Sequence, residues 1–195
     1  MLRKWQAIRL GTKALKDNEG LMERNDLMIL MALKQESQGL FEGEGIKVYY
    51  TGVGKVKVTY AALKLIEQHK PKWVLNLGTA GSKRFSVGDL VECTQFVQRD
   101  AAALFPQKIY KTTAITDLPE VICGTADFVE LAEPRVACDI FDMEAYALAY
   151  VCDQQKIKFN SIKYITDSSD KNVLADWSKN IEAVGKALLA QFKKI

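Results

Sequence analysis

Trp73-Val74-Leu75-Asn76-Leu77-Gly78-Thr79-Ala80-Gly81 reads as an apolar strand, Trp73 to Leu77, that ends in a glycine turn. Before it, Val58, Ala62 and Leu65 recur at helical spacing, and Pro71 stops that helix. Earlier still, Ile46 to Tyr50 is a strand broken by Thr51-Gly52-Val53-Gly54, and Leu27 to Ala32 is an apolar run of the kind buried on both faces. Downstream, Leu90 to Val97, Val121 to Cys123, Val136 to Cys138 and Phe159 to Ile165 are strand-like. Asp142 to Gln154 is helical, and Asp176 to Phe192 closes the chain as an amphipathic helix with Trp177, Ile181, Val184 and Leu188 on one face. Strands alternating with helices predict an α/β fold, here three α/β/α layers around a mixed, largely parallel sheet.

The 195 residues suit one domain, and 48% apolar with 26% charged residues is ordinary globular composition. Residues 27–195 read as that single catalytic domain. Residues 1–26 read as a basic extension, helical or disordered, in which Trp5, Ile8, Leu15 and Leu21 make a weak stripe. Net charge is only +3 and is concentrated in that extension, which argues against a nucleic-acid partner. No apolar run is long enough to span a bilayer, so no membrane partner is expected. Cys93, Cys123, Cys138 and Cys152 form no C-x-x-C pair, and His69 is the only histidine. Reduced, mostly buried thiols in a cytoplasmic protein are expected, with no metal site.

Several polar or glycine-bearing segments fall just past strands, where open α/β sheets bind ligands. They are Lys34-Gln35-Glu36, Thr51 to Gly54, Gly78 to Gly81, and Thr166-Asp167-Ser168-Ser169-Asp170. Asp167 suits either a turn or cap, or a carboxyl aimed at a ligand from a rigid strand end. Glu144, in the apolar run Phe141 to Ala145, is either a surface helix residue or a carboxylate gripping two vicinal hydroxyls. Gly78 to Gly81 either turns the chain or lets backbone approach a ligand. Neither the dinucleotide fingerprint nor the Walker lysine is present.

Taken together, Ala32-Leu-Lys-Gln-Glu36, Thr51-Gly-Val-Gly-Lys55, Asn76-Leu-Gly-Thr-Ala-Gly81, Val87-Gly-Asp89, Asp142-Met-Glu-Ala145 and Lys163-Tyr-Ile-Thr-Asp167 resemble the nucleoside phosphorylase and nucleosidase superfamily. The similarity is strongest to the methylthioadenosine/S-adenosylhomocysteine nucleosidases. It implies a nucleoside phosphorylase-like sheet and hydrolysis of an N-ribosidic bond, with water as nucleophile and no cofactor. By position, Asp167 matches the acid that protonates adenine N7, and Glu36 the residue that activates water. Met143 and Glu144 match the ribose-binding pair, Thr79 a small hydroxyl near the water, and Ala80 and Gly81 the base pocket. Lys163 stands where many relatives carry arginine, and by that match it is expected to contact the substrate. The chemistry suits these residue types: cleavage develops an oxocarbenium-like ribose, and a carboxylic acid with a raised pKa can protonate the leaving base.

Phe128, in Cys123-Gly-Thr-Ala-Asp-Phe-Val129, is the candidate to stack on adenine, although the segment departs by a residue from the usual spacing. The stretch Ala101 to Glu120 is shorter than in relatives, and it is the stretch that would shape the 5′ pocket. The alternatives are a phosphorylase, a nucleosidase of other base or 5′ specificity, and a non-catalytic nucleoside-binding protein. The resemblance also implies a homodimer.

Overall fold

The computed structural model describes residues 16–17, 20–21, 26–101, 107–131 and 135–195. β1 (Lys16–Asp17) and β2 (Gly20–Leu21) pair antiparallel. The described part of the extension is therefore a short ladder and not a helix. Asp17 and Gly20 are turn-favouring types, and they prevail over the weak apolar spacing. Trp5, Ile8 and Leu15 lie outside the described residues.

The remaining elements are β3 (Leu27–Met31), α1 (Lys34–Ser37), α2 (Leu40–Gly43), β4 (Val48–Tyr50), α3 (Lys55–His69), β5 (Trp73–Gly81), β6 (Leu90–Gln98), β7 (Tyr110–Lys111), β8 (Glu120–Thr125), β9 (Ile140–Asp142), α4 (Ala145–Gln155), β10 (Lys158–Asp167) and α5 (Val173–Phe192). β3 to β10 form one eight-stranded sheet, ordered β10-β6-β8-β9-β5-β3-β4, with β7 on β6. β10 also pairs with β5, so five strands close on themselves while β3 and β4 extend the sheet. Pairing is parallel except at β6–β10, β6–β7 and the single Gly81–Phe141 pair of β5 and β9.

Alternation along the strands divides the core in two. Met28, Leu30 and Val74 pack with Val58 and Ala62 of α3 and with Leu148 and Val151 of α4. Ile29, Met31, Leu75, Leu77 and Ile162 pack on the other face with Phe41 and with Val184, Leu188 and Phe192 of α5. That is the predicted three-layer arrangement, and both central strands are buried over nearly their whole length. Among the described residues no helix is long and apolar enough to cross a membrane.

Several element boundaries differ from the sequence reading. Gly78 to Gly81 is not a turn; β5 continues through it, paired with β10. Val136 to Cys138 is irregular, and the pairing strand is Ile140–Asp142. Asp139 donates its backbone N–H to the Ile122 carbonyl at 2.9 Å and accepts the Ile122 N–H on its carboxylate at 2.8 Å, which starts the ladder after Cys138. Asp142 is the last residue of β9 and not part of the helix. Its Oδ2 accepts the Ala145 N–H at 2.8 Å and so caps α4 from outside.

Candidate active site

The ends of β5 and β10 set the geometry. Their register shifts between Ile165 and Asp167, so that Asp167 stands opposite Gly81. Such a bulge re-aims a side chain at a strand end. Asp167 Oδ2 accepts the Thr166 hydroxyl at 2.9 Å, and Oδ1 accepts the Ser169 N–H at 3.0 Å. A Cβ on residue 81 would collide with Asp167 Oδ1 and Ser169 Oγ, so only glycine leaves room for the carboxyl. Burial raises the Asp167 pKa, and Asp176 adds to the rise, while the bonds from Thr166 and Ser169 oppose it.

Glu36 is the third residue of α1, five positions past the end of β3. That helix is held to α5 by the Gln38 side chain, which donates to the Ile181 carbonyl at 2.8 Å. Glu36 Oε2 accepts the Leu33 N–H at 2.9 Å; Oε1 accepts the Thr79 N–H at 3.0 Å and the Thr79 hydroxyl at 3.1 Å. A Cβ at Gly78 would come within 3.0 Å of Glu36 Oε1, so this glycine serves close approach rather than chain reversal. Burial raises the Glu36 pKa, and the Leu33 N–H, Lys163 and Thr79 partly offset it.

Glu144 precedes α4 and is buried, with Oε1 accepting the Gly54 N–H at 2.8 Å. Burial first, then the charge of Asp142, pushes its pKa up to about 8; Lys163 and the Gly54 N–H pull the other way. Lys163 Nζ lies 3.0 Å from Asp142 Oδ2, both side chains being sealed from solvent. Burial opposes its charge, yet Asp142 and Glu144 outweigh burial and raise its pKa. Burial likewise opposes ionisation of Asp142, but Lys163, the Thr125 hydroxyl at 2.5 Å and the Ala145 N–H hold its pKa below the usual carboxylate value.

These groups surround a cleft of about 280 Å³, near the lower end of the range for small-molecule sites. Glu36, Thr79, Ala80, Gly81, Phe128, Met143, Glu144 and Asp167 all line it. Lys163 does not. Its ammonium is consumed by Asp142 beneath the floor, so the sequence assignment of a direct substrate contact is replaced by a charge placed under the carboxylates. A second cavity, of about 260 Å³, beside the end of α5 contains none of these groups.

Two lining residues escaped the sequence reading. Arg99 is buried at the end of β6; it donates to the Gly124 and Phe128 carbonyls and pairs with Glu130 at 2.8 Å. Its guanidinium lies 4.9 Å from the centre of the Phe128 ring and 5.2 Å from that of Phe141. It therefore props the Phe128 segment against the cleft. A charged residue two positions past the apolar run to Val97 was the available signal. Trp177 was placed on the apolar face of α5, but its indole N–H donates to Thr79 Oγ1 at 3.2 Å.

The chain is similar to known proteins. Residues 36–121 match the model of the Phosphorylase superfamily. A 5′-methylthioadenosine/S-adenosylhomocysteine nucleosidase of Shewanella loihica is 27% identical over 181 residues, covering 75% of this chain and 79% of that protein. The Helicobacter pylori nucleosidase of the same name superposes with a TM-score of 0.77 at 21% identity, covering 86% of this chain and 95% of its own. Futalosine hydrolase of the same organism superposes with a TM-score of 0.76 at 20% identity, over 86% and 95%. These two structural likenesses speak for the fold. The sheet order, the matched segment and the length shared with the curated relatives converge on a likeness to the phosphorylase superfamily.

Proposed function

We propose that this chain is a nucleosidase that hydrolyses the N-ribosidic bond of 5′-methylthioadenosine/S-adenosylhomocysteine-type nucleosides, releasing adenine and a 5-thioribose. The observation that carries this reading is the convergence of Glu36, Glu144 and Asp167, from three separate elements, on one cleft. Asp167 donates a proton to adenine N7 as the C1′–N9 bond breaks, a step that its raised pKa favours. Glu36 takes a proton from the water that adds to C1′; its backbone and hydroxyl donors keep the carboxylate oriented. Glu144 holds the 2′- and 3′-hydroxyls, Met143 underlies the ribose, and Phe128 faces the base. Thr79, Ala80 and Gly81 line the cleft between water and base. The sum is nucleoside plus water to free base plus sugar, and no cofactor enters the balance.

Water is favoured over phosphate because the cations near the cleft are already paired. Lys163 is bound to Asp142, Lys55 to Asp100 at 2.5 Å, and Arg99 to Glu130. Lys34 does not line the cleft. A phosphorylase needs positive charge beside C1′, and Glu36 would repel the anion there. Adenine release from methylthioadenosine is therefore expected at the same rate with and without phosphate. A strict requirement for phosphate would overturn hydrolysis.

The same reading includes a homodimer. Val56, Tyr60 and Leu63 stand 78%, 65% and 42% exposed at i, i+4 and i+7 along α3. They begin next to Val53, which lines the cleft, and to Gly54, which grips Glu144. Apolar side chains in such a row mark a contact surface. Sedimentation of the protein at micromolar concentration is expected to give a dimer, and Tyr60→Glu a monomer. A monomeric parent protein would remove this part of the proposal.

A further inference from the structure

Thr79 Oγ1 is the middle of a three-member hydrogen-bond chain. Trp177 Nε1 lies 3.2 Å from it on one side, and Glu36 Oε1 lies 3.1 Å from it on the other. The direction of the chain follows from the donor inventory. An indole N–H only donates and an ionised carboxylate only accepts, whereas a hydroxyl offers one proton and two lone pairs. With the indole occupying a lone pair, the single Thr79 proton is directed to Glu36. A hydroxyl without that partner would be free to rotate away from the carboxylate.

We propose that Trp177 is a positioning residue for the reaction: through the Thr79 hydroxyl it orients Glu36 and favours its ionised, water-activating form. This rests on the reading of Glu36 as the base. The arrangement around it is consistent with a built relay rather than a chance contact. α5, which carries Trp177, is bonded to the carbonyl of Thr166 by Asn180 at 2.8 Å, one residue before Asp167. The same helix receives Gln38 from α1, two residues past Glu36. Trp177 is half-buried and also forms part of the cleft wall. An aromatic ring without the N–H would fill the wall and leave the relay open, so packing and hydrogen bonding can be separated by one substitution. The other charged or titratable groups acting on Glu36 are Lys163 from β10, Glu144 ahead of α4 and Tyr50 at the end of β4, and the substitution leaves all three in place.

The test uses Trp177→Phe and Thr79→Val. Loss of one neutral hydrogen bond predicts a fall in kcat of about three- to tenfold for Trp177→Phe, with KM much less affected. The acid limb of the kcat–pH profile is expected to move to higher pH, because the charged form of Glu36 loses support. The double variant should be no slower than Thr79→Val alone, as members of one chain are not additive. A change confined to KM, with the acid limb in place, would reduce Trp177 to a wall and overturn the proposal.

A second readout does not depend on turnover. The chain has three tryptophans, and the indole N–H resonance missing in Trp177→Phe identifies residue 177. That signal is expected to shift in Thr79→Val and to lose its pH dependence in Glu36→Gln. An indole signal indifferent to Thr79→Val overturns the relay whatever the activity. A parent protein that releases no base from any nucleoside, with the indole signal responding as expected, overturns the proposed reaction instead and leaves the hydrogen-bond chain standing.

Discussion

Asp167→Asn is expected to cut adenine release by roughly 10²–10⁴-fold, the range typical of one positioned general acid, while leaving the fold intact. Asparagine keeps the shape of the side chain. Its amide oxygen can still accept the Ser169 N–H, now made at 3.0 Å. Its amide nitrogen can donate to Thr166 Oγ1, whose hydroxyl then turns fully to the Ala80 carbonyl that it already approaches at 3.4 Å. What disappears is the proton for the departing base. The pH profile supplies the sharper signature. Burial raises the Asp167 pKa, so the protonated form persists above the ordinary aspartate range and activity falls as pH rises through that value. That basic limb should vanish in the variant, leaving a low rate that no longer falls with pH on that side. An unchanged rate would remove Asp167 from the mechanism, and a lost melting transition would show that its bonds to Thr166 and Ser169 are structural. Both readouts come from the same purified protein, the first by free-base assay and the second by thermal melting.

The legibility of this chain in its sequence follows the range of the interactions. Local periodicity is enough to place β3, α3, β6 and the apolar face of α5, since burial of Leu30, Val58, Phe96 and Leu188 repeats with the period of each element. The glycines at 78 and 81 are visible as glycines, but a turn and a close approach look alike in one dimension. Only the pairing of β5 with β10 shows that the strand runs straight through and that the missing Cβ atoms make room for Glu36 and Asp167. The bulge before Asp167 is equally silent, because it is defined by a partner strand more than eighty positions away. Glu36, Glu144 and Asp167 were readable as candidates, and so were Thr79, Ala80, Gly81, Met143 and Phe128. Their common cleft was not, because it arises from strand order. Arg99 and Trp177 were passed over because each also fits a bland role, the one as a strand-end charge and the other as part of an apolar stripe. Lys163 was misread as a ligand contact for a related reason. A basic residue in a strand suggests a partner without saying that the partner is Asp142, twenty-one positions back.

Lys163→Met is the substitution with the largest expected effect on stability. The methionine approximates the length of the lysine stem and removes only the charge, so packing in the sheet is kept. Asp142 is then left buried with the Thr125 hydroxyl and the Ala145 N–H but no counter-charge. Breaking a buried pair by removing one partner costs about 3–5 kcal/mol, which for a chain of this size is a fall in melting temperature on the order of 10 °C. The pH dependence gives the cause. In the parent protein Asp142 has a depressed pKa, so its contribution is present above the ordinary aspartate value and is lost as pH falls through the depressed one. In the variant burial is opposed only by the Thr125 hydroxyl and the Ala145 N–H, so that pKa rises, and the gap between the two proteins should narrow as the solution is acidified and Asp142 takes up a proton. Adding Asp142→Asn should recover part of the loss at neutral pH, because the uncompensated charge goes with it. Activity should fall even at temperatures where the variant is folded. Lys163 lowers the pKa of both Glu36 and Glu144, so without it both carboxylates are more often protonated at neutral pH. Water activation by Glu36 then loses its base, and the acid limb of the rate profile moves upward. A variant that melts with the parent protein at neutral pH would show that Asp142 is neutral there already, and that the floor of the cleft is held by hydrogen bonds alone.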